Sequence, residues 1–408
     1  MPPEKTSVCI AGGGPAGMVL GYLLGRCGIA TLILESQKDF DRDFRGDTLH
    51  AGVMEVFDAL GLADRILELP HEKIRKVGIG NVNLVDFRWL KTKFPFVTMM
   101  AQSMFLDFLA EEARSFPTFR LAMGASVREL MRNETGRVIG LRYRQAGGMH
   151  EIAAPLVVAC DGRGSRLRKE AGLVPDKMTD LLEVLWFRLL REPSDSFASG
   201  ALPGGRLPFI LLERPDHYQI AAVIPPGRYQ EIRAEGLEAF HERLREAAPE
   251  LFSRAQRELD DWKKVAFLHV EGSRLKTWHQ PGLLLIGDAA HVMTPVGGVG
   301  INYAIWDAVE AANVLVPVLR SGKIITEDHL AEIQRRREGP TRMMQAVQRL
   351  AGRRVLNAVA DDESRRLEVP AALRILTRLP GIRSLMPRLI ALGWKRTRCD
   401  LTFDRLEV

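Results

Sequence analysis

Three acidic side chains, Glu35, Asp161 and Asp288, each follow a short run of apolar residues in this 408-residue sequence. Such runs predict buried β-strands, and in an open α/β sheet the ligand lies at the carboxyl ends of the strands. Because burying a carboxylate without a hydrogen-bond partner is costly, each acid needs a partner from the chain or from a ligand. The sequence therefore predicts a polar ligand that reaches several strand ends.

A glycine-rich turn precedes the first of these acids. Gly12, Gly14 and Gly17 match G-x-G-x-x-G, in which the first glycine permits a tight turn, the second lets the backbone approach a pyrophosphate and the third lets a helix pack closely on a strand. The N–H groups at the start of that helix would bind phosphates. Glu35 closes the next strand, where its carboxylate can accept hydrogen bonds from a ribose diol. This arrangement predicts a dinucleotide site without distinguishing FAD from NAD.

The stretch Gly282–Asn302, GLLLIGDAAHVMTPVGGVGIN, favours the longer of these two ligands. A nicotinamide dinucleotide would not need an acidic strand end so far along the chain, whereas FAD adds a ribityl chain whose hydroxyl groups could bind Asp288. Gly298 and Gly300 would let backbone N–H groups reach the pyrimidine edge of the flavin. A helix that starts near Ile301 would point its positive N-terminal end at the flavin, which would favour the negative charge on reduced flavin.

Apolar periodicity predicts the elements that hold these residues. The N-terminal order of strand, glycine turn, helix and strand is a βαβ unit, which favours a parallel sheet with helices on both faces. The other predicted elements are helices at 48–60, 105–114, 234–246, 303–319 and 327–360, and strands at 156–160, 181–190, 207–213, 218–224 and 265–270.

Together, three motifs resemble those of the single-component FAD-dependent aromatic hydroxylases, the p-hydroxybenzoate hydroxylase-like flavoprotein monooxygenases. The motifs are GGGPAG with Glu35, ACDGRGSRLR from Ala159 to Arg168, and GDAAHVMTPVGGVGIN from Gly287 to Asn302, and the likeness covers roughly residues 5 to 350. It implies an α/β fold with an FAD-binding Rossmann-like domain of the GR2 type, an inserted β-sheet substrate domain and a helical C-terminal region. The expected boundaries are 1–72, 98–175 and 273–330 for the FAD domain, 73–97 and 176–272 for the substrate domain, and 331–408 for the C-terminal region.

The resemblance also implies roles for single residues. Asp161 and Gly162 would serve both FAD and NAD(P)H, and Asp288 would hold the ribityl chain. Pro295 would shape the pocket where oxygen is activated and would touch the substrate. Val299 departs from the family pattern, because many relatives have a polar residue between the two glycines. The other positions expected to contact FAD are Pro15, Ala16, Ser36, Arg45, Gln102, Val127, Gly287, Ile301 and Asn302.

In this family NAD(P)H reduces the flavin by hydride transfer and the reduced flavin reacts with O2. The resulting C4a-hydroperoxide transfers its distal oxygen to an electron-rich ring. The single Rossmann fingerprint fits this class, in which NAD(P)H has no domain of its own. The resemblance therefore implies hydroxylation of an aromatic or quinone-like small molecule with FAD, NAD(P)H and O2. No nucleophile or metal is required, the four cysteines lack metal-ligand spacing, and His291 is expected to be structural rather than a proton donor.

Substrate contacts are the least constrained part of the sequence. Trp186 and Arg188 share one face of a predicted strand. They would present a ring and a cation to a phenolic or acidic substrate, or else take part in ordinary sheet packing. Four further residues are expected to line an apolar pocket beside them: Leu207, Phe209, Leu211 and Tyr218.

Charge is unevenly distributed along the chain. From Arg335 to Arg398 there are 16 Lys and Arg against 5 Asp and Glu, while the remainder has 41 against 46. Such a segment suits an anionic membrane surface, a homo-oligomer contact or a solvated surface paired with the acidic body. No aromatic residues alternate with these arginines, so nucleic acid is disfavoured as a partner. Three features favour a cytoplasmic protein with reduced thiols. The cysteines are scattered, no apolar run is long enough to span a membrane, and the apolar run at the N-terminus leads into glycines rather than into a signal-peptide cleavage site.

Two other functions stay open on the sequence alone. A flavin-dependent reductase or desaturase of an isoprenoid or lipid would use the same scaffold, with the basic, Leu-rich tail on a membrane. Oxygen uptake coupled to hydroxylation would distinguish it from a monooxygenase. A non-catalytic flavin-binding partner would oxidise NAD(P)H without stimulation by any substrate. A flavin-dependent halogenase is disfavoured because W-x-W-x-I-P is absent.

Overall fold

The computed structural model describes residues 3–41, 47–79, 82–178, 182–195, 197, 199–202, 207–360, 379 and 382–402. The α-helices are α1 (Pro15–Arg26), α2 (Ala51–Ala59), α3 (Ala63–Ile66), α4 (Gln102–Arg114), α5 (Arg166–Glu170), α6 (Tyr229–Ala234), α7 (Leu237–Ala247), α8 (Phe252–Glu258), α9 (Gly300–Arg320), α10 (Glu327–Ala360) and α11 (Leu385–Leu392). The β-strands are β1 (Glu4–Lys5), β2 (Val8–Ala11), β3 (Thr31–Leu34), β4 (Thr48–Leu49), β5 (Glu72–Ile74), β6 (Lys76–Ile79), β7 (Val82–Asp86), β8 (Val97–Met99), β9 (Phe119–Ala122), β10 (Ser126–Arg132), β11 (Val138–Gln145), β12 (Gly148–Ala153), β13 (Leu156–Ala159), β14 (Asp176–Lys177), β15 (Glu183–Leu190), β16 (Gly200–Ala201), β17 (Phe209–Glu213), β18 (His217–Ile224), β19 (Ala266–His269), β20 (Ser273–Arg274), β21 (His279–Gln280), β22 (Leu283–Leu285) and β23 (His291–Val292).

A six-stranded sheet carries the nucleotide-binding motifs, in the order β21-β22-β13-β2-β3-β9. From β22 to β9 neighbouring strands are parallel, and β21 is antiparallel to β22. In register, Ala11 pairs with Leu34 and Ala159, and Ala159 pairs with Leu285. The residues that follow these positions therefore emerge at one edge of the sheet. This confirms the predicted α/β fold and brings the three acidic strand ends to one side.

Helix α1 connects β2 to β3 and is buried from Ala16 to Gly25. Pro15 lies in its first turn, where the fixed φ of proline suits a helix and its missing N–H leaves no donor unpaired. A Cβ on Gly17 would overlap the carbonyl oxygen of Gly12, and a Cβ on Gly21 would stand 2.5 Å from Cδ1 of Ile33. Helix α1 therefore packs closely on the sheet, and its N-terminus faces the strand ends.

A second, seven-stranded sheet has the order β19-β15-β18-β17-β16-β6-β7. Two separate stretches of chain build it, because β6 and β7 precede the six-stranded sheet's β9 while the other strands follow β13. Alternate residues of β15 face opposite sides: Leu185 and Phe187 pack in a closed core with Phe240 of α7. Trp186 lies on the other face, with Val184 and its neighbours. The predicted domain boundaries stay a prediction.

The apolar pocket predicted from residues 207 to 218 is wrong. Leu207, Phe209, Leu211 and Tyr218 all belong to the core beneath α7. The physical reason is the two-residue period of a strand, since helices cover one face of the sheet and only the opposite face is available to a ligand. Leu212, the neighbour of Leu211, lines the cleft described below.

The C-terminal part of the chain is integral to the fold as far as it is described. Helix α10 packs against α9, and α11 packs against α2, with Ala391 and Leu392 buried in the main core. Within the described part of the chain, none of the helices has the length and apolar content that crossing a lipid bilayer requires.

Candidate active site

A cleft of about 810 Å³ lies where the carboxyl ends of the six-stranded sheet meet the face of the seven-stranded sheet that is opposite α7. It brings together sixteen of the residues predicted from the sequence: Gly12, Gly14, Pro15, Ala16, Glu35, Ser36, Gln102, Val127, Asp161, Gly162, Trp186, Asp288, Pro295, Gly298, Gly300 and Ile301. Four others do not line it: Gly17, Arg188, Gly287 and Asn302. Arg45 lies outside the described residues.

The glycine turn and the start of α1 form one end of the cleft. Gly12 has φ +101°, and a Cβ on it would meet the carbonyl oxygen of Cys160. Glycine is therefore required at this position by both conformation and space. Gly14 is the N-cap residue of α1 and leaves the first turn without a side-chain cap, and Gly14, Pro15 and Ala16 line the cleft. The start of a helix at this position could hold a pyrophosphate.

Glu35 lies at the carboxyl end of β3 and is only 3% exposed. Its Oε2 accepts a hydrogen bond of 2.7 Å from the Gly13 N–H, and its Oε1 accepts one of 2.9 Å from the Gln37 N–H. The Ser36 hydroxyl donates to Oε1 at 3.2 Å. These bonds orient the carboxylate beside the glycine turn, where a ribose diol would be bound.

Asp161 shapes the loop that follows β13. Its Oδ1 accepts from the Ser165 hydroxyl at 2.5 Å and its Oδ2 from the Leu167 N–H at 3.1 Å. Burial raises the pKa of Asp161, and the Ser165 hydrogen bond offsets part of that shift. Arg163, in the same loop, donates to Asp288 Oδ2 at 3.3 Å. Sequence reasoning did not single out Arg163, although it lies inside a quoted motif, because the pairing depends on how two strands come together.

The loop before α9 is held by side chains rather than by packing alone. Gly297 and Gly298 both have positive φ, at +80° and +62°. The Thr48 hydroxyl donates to the Gly298 carbonyl at 2.6 Å, and Asn302 Nδ2 donates to the carbonyls of Thr48 and Gly298 at 2.8 and 3.2 Å. Asn302 also accepts from the His50 N–H at 2.8 Å. Its side chain therefore fixes the loop, while Gly300 and Ile301 line the cleft at the start of α9.

A buried ionic cluster supports the turn that presents Asp288. Asp307 is fully buried, and its Oδ2 accepts from the Gly287 N–H at 3.0 Å and bonds His291 Nε2 at 2.6 Å. Its Oδ1 accepts from Arg337 Nε at 2.7 Å. Burial alone would raise the pKa of Asp307, but the charges and hydrogen bonds of His291 and Arg337 outweigh it and hold the pKa below its usual value. His291 thus has the structural setting expected for it, and Arg337 of α10 was missed.

The seven-stranded sheet contributes the wall opposite the nucleotide motifs. Leu212, Gln219 and Leu268 line this wall beside Trp186. Arg188 pairs in register with Gln219 and lies on the same face, but it is exposed and lies outside the lining.

Arg214 supplies a cation to this wall in place of Arg188. It donates to Gln219 Oε1 from Nε at 3.1 Å and from Nη2 at 2.6 Å, and it forms an ion pair with Asp47. Asp47 Oδ1 also accepts from the Gln102 N–H at 3.2 Å. Burial raises the pKa of Asp47, and Arg214 offsets part of the shift. Arg214 lies in the turn between β17 and β18, where no local pattern marks it as functional.

Known proteins share this architecture. A family model described as an FAD binding domain matches residues 5–345. The chain belongs to this FAD-binding family. It is 32% identical over 404 residues to 6-methylpretetramide 4-monooxygenase of Streptomyces rimosus, with 97% of this chain and 95% of that protein covered. It is 22% identical over 329 residues to para-nitrophenol 4-monooxygenase of Pseudomonas sp. strain WBC-3, covering 77% and 79%.

Solved structures show the same fold. The probable FAD-dependent monooxygenase PqsL of Pseudomonas aeruginosa matches with a TM-score of 0.73 at 19% identity, over 88% of this chain and 100% of that one. OxyS anhydrotetracycline hydroxylase of Streptomyces rimosus matches with a TM-score of 0.73 at 22% identity, over 95% and 76%. The chain is therefore an FAD-dependent monooxygenase of the aromatic hydroxylase class, as the motifs predicted.

Proposed function

We propose that this monooxygenase uses NAD(P)H and O2 to hydroxylate an aromatic or quinone-like small molecule. The observation that supports the proposal best is that one cleft is lined both by the FAD-binding motifs and by the face of the second sheet that carries Trp186, Leu212 and Leu268. A substrate held against Trp186 and Leu268 would lie beside the glycine loop that precedes α9. Such an arrangement would hold a ring close to the flavin, which supports oxygen transfer between them.

The described residues divide the binding of FAD among them. The turn at Gly12 and the N-terminus of α1 would hold the pyrophosphate, Glu35 the ribose and Asp288 the ribityl hydroxyls. The N-terminus of α9 would face the pyrimidine edge, where its positive end favours negative charge. When bound and reduced, FAD supplies the oxygen chemistry, through the C4a-hydroperoxide that the family resemblance implies.

Reduction by NAD(P)H is also part of the proposal. The loop that begins at Asp161 and Gly162 contributes Arg163 and Arg166 to the cleft lining. These cations would attract the phosphates of a nicotinamide dinucleotide that lands in the cleft without a domain of its own. Relatives act, by name, on 6-methylpretetramide and para-nitrophenol, which supports an aromatic substrate for this chain. The matches to named monooxygenases favour this function over a reductase, a desaturase or a non-catalytic partner.

The test uses purified protein loaded with FAD. Phenols, quinolones and quinones are screened for those that stimulate the consumption of NAD(P)H and O2, and the mass of each product is measured. We expect at least one aromatic compound to gain one oxygen atom. NAD(P)H oxidation that no compound stimulates would contradict the proposal. Gly14→Val should abolish FAD binding because a side chain there would meet the pyrophosphate, whereas Gly339→Ala in α10, which has open space for its methyl group, should retain it.

The predicted membrane or homo-oligomer contact of the basic C-terminal region stays a proposal. Leu385 and Trp394 there are 61% and 64% exposed, and Arg388, Lys395 and Arg396 are exposed beside them. An apolar surface flanked by cations suits an anionic lipid surface. Flotation with phosphatidylglycerol vesicles, compared with phosphatidylcholine vesicles and with Leu385→Glu, tests this. A sedimentation measurement of the same samples tests the oligomer.

A further inference from the structure

A second pocket, of about 150 Å³, lies away from the cleft and shares no lining residue with it. Two short strands and one helix form its walls. The lining residues are Asp176 and Lys177 of β14, Met178 that follows them, Arg274 of β20, and Gln345 and Arg349 of α10. The pocket is much smaller than the cleft and is lined mainly by polar side chains, so it suits a small polar ligand.

Arg274 is the least exposed cation of this pocket, with 26% of its side chain accessible to solvent. Its Nη1 donates to Gln345 Oε1 at 2.8 Å. Glu338 Oε1 lies 4.0 Å from its Nε, which is beyond hydrogen-bond distance. Because a guanidinium has five N–H donors, most donors of Arg274 have no acceptor among the described residues. The guanidinium is therefore held in place while donors remain for a ligand.

Gln345 fixes this arrangement from the protein side. It is only 1% exposed, and its Nε2 donates to the carbonyls of Ser273 and Val292 at 2.9 and 3.1 Å. These bonds leave its Oε1 for Arg274. Since a neutral amide rather than a carboxylate orients the guanidinium, this contact does not neutralise the positive charge of Arg274.

Further cations surround Arg274. Arg342 and Arg349 lie about two turns apart on the face of α10 that carries Gln345. Lys177 lies on β14, which pairs with the strand of Arg274. Within the described part of the chain, Lys177, Arg342 and Arg349 have no ion-pair or hydrogen-bond partner. Burial and then the charge of Arg342 lower the pKa of Arg274. Like charges held this close to one another favour a bound anion.

Two acids lie near these cations, and each has another partner. Asp176 Oδ1 is 3.8 Å from Lys276 Nζ. Glu338 Oε2 accepts from Gln334 Nε2 at 3.2 Å. The cations around the two acids are Lys177, Arg274, Lys276, Arg342 and Arg349. Because the cations outnumber the acids, the pocket keeps a net positive charge.

From these contacts we infer that the small pocket is an anion site that binds a phosphate group, either as inorganic phosphate or as the end of a small phosphomonoester. Arg274 and Arg349 donate to the phosphate oxygens, and Lys177 adds positive charge. The site is separate from the proposed function, since it uses none of the residues that line the cleft. It does adjoin a support of the cleft, because Gln345 also holds Val292, which precedes the lining residue Met293.

Titration calorimetry of the FAD-loaded protein with inorganic phosphate, at constant ionic strength, tests the inference. Bound FAD fills the pyrophosphate site of the cleft, so that site does not compete. Glycerol 3-phosphate is the second probe, and the tighter binder of the two shows whether the site takes the free ion or a phosphomonoester. We expect saturable binding that Arg349→Gln weakens about tenfold, as the loss of a charge-assisted hydrogen bond implies. No saturable binding of either probe, or unchanged affinity in Arg349→Gln, would overturn the inference.

Matched variants locate the bound anion. Arg349 is exposed, so its variants should fold, and Arg349→Lys should keep more affinity than Arg349→Gln because it retains the charge. The control Arg335→Gln removes a cation of the same helix that pairs with Glu332 and does not line the pocket, and it should keep the affinity of the parent protein. Arg163→Gln, in the cleft, should keep it too. If Arg163→Gln loses phosphate binding while Arg349→Gln retains it, the anion binds in the cleft and the inference is wrong.

Discussion

Asp307→Asn should cause a large loss of stability, because the Asp307 carboxylate is the centre of a buried ionic cluster. Three hydrogen-bonding groups, the Gly287 N–H, His291 Nε2 and Arg337 Nε, converge on the two carboxylate oxygens of Asp307. Asparagine has the same size but one acceptor oxygen and no charge. At least one buried group then loses its partner, and Arg337, which is 1% exposed, loses its counter-ion.

Breaking a buried ion pair by removing one partner costs about 3–5 kcal/mol of the free energy of unfolding. A second, smaller effect concerns the cofactor, since the Gly287 N–H bond holds the turn that presents Asp288. Losing one hydrogen bond of about 1.4 kcal/mol at that turn would weaken FAD binding about tenfold.

Urea unfolding of the FAD-free protein measures the first effect, because bound FAD would itself add stability. Titration of the FAD-free protein with FAD measures the second. The matched control is Asp195→Asn, which breaks another nearly buried ion pair, with Arg254, where the two side chains are 8% and 5% exposed. Asp195 does not line the cleft, so its variant should lose stability and keep its FAD affinity within about twofold. If both variants lose FAD affinity equally, or if Asp307→Asn is as stable as the parent, the cluster does not position the turn.

Three further predictions concern other parts of the site. Burial lowers the pKa of His50 to about 4. Between pH 6.5 and 4 the unfolded chain therefore binds more protons than the folded protein, and the free energy of unfolding should fall by about 3 kcal/mol as the pH is lowered. In His50→Asn, the urea midpoint should not show this dependence on pH. Gly12→Ala should fold poorly or lose FAD, because its methyl group would meet the Cys160 carbonyl at φ +101°. Gly339→Ala in α10, which has open space and does not line the cleft, should retain the flavin absorbance after gel filtration. Arg214→Gln should raise KM, because it leaves Asp47 unpaired. The double variant that also carries Asp47→Asn should recover part of the lost kcat/KM. Strictly additive effects of the two substitutions on kcat/KM would show that the two side chains act independently.

Sequence patterns predicted those features that depend on local order. Periodicity and spacing correctly predicted the positions of the glycine turn, of the acids that follow β3 and β13, and of the start of α9. Each of these features depends on residues that are close together along the chain. Contacts between distant segments were missed. Arg214 reaches Asp47 across 167 positions, and its side chain points to the cleft only because of the register of β17 with β18. The mistaken pocket at Phe209 has the same origin, since periodicity shows which residues share a face but not which face a helix covers.

The basic C-terminal segment also acquires a different meaning in the fold. Its charge excess suggested a docking surface, yet part of that charge is used internally. Arg337 neutralises Asp307 beneath the flavin-side turn, and Arg336 pairs with Glu310 at 3.3 Å and Glu332 at 2.7 Å. Gln348, from the same helix, fixes the backbone around Pro295. A truncation within α10 would therefore remove supports of the active site as well as charge. Only substitutions of exposed residues can separate a role in docking from a role in holding the cofactor turn.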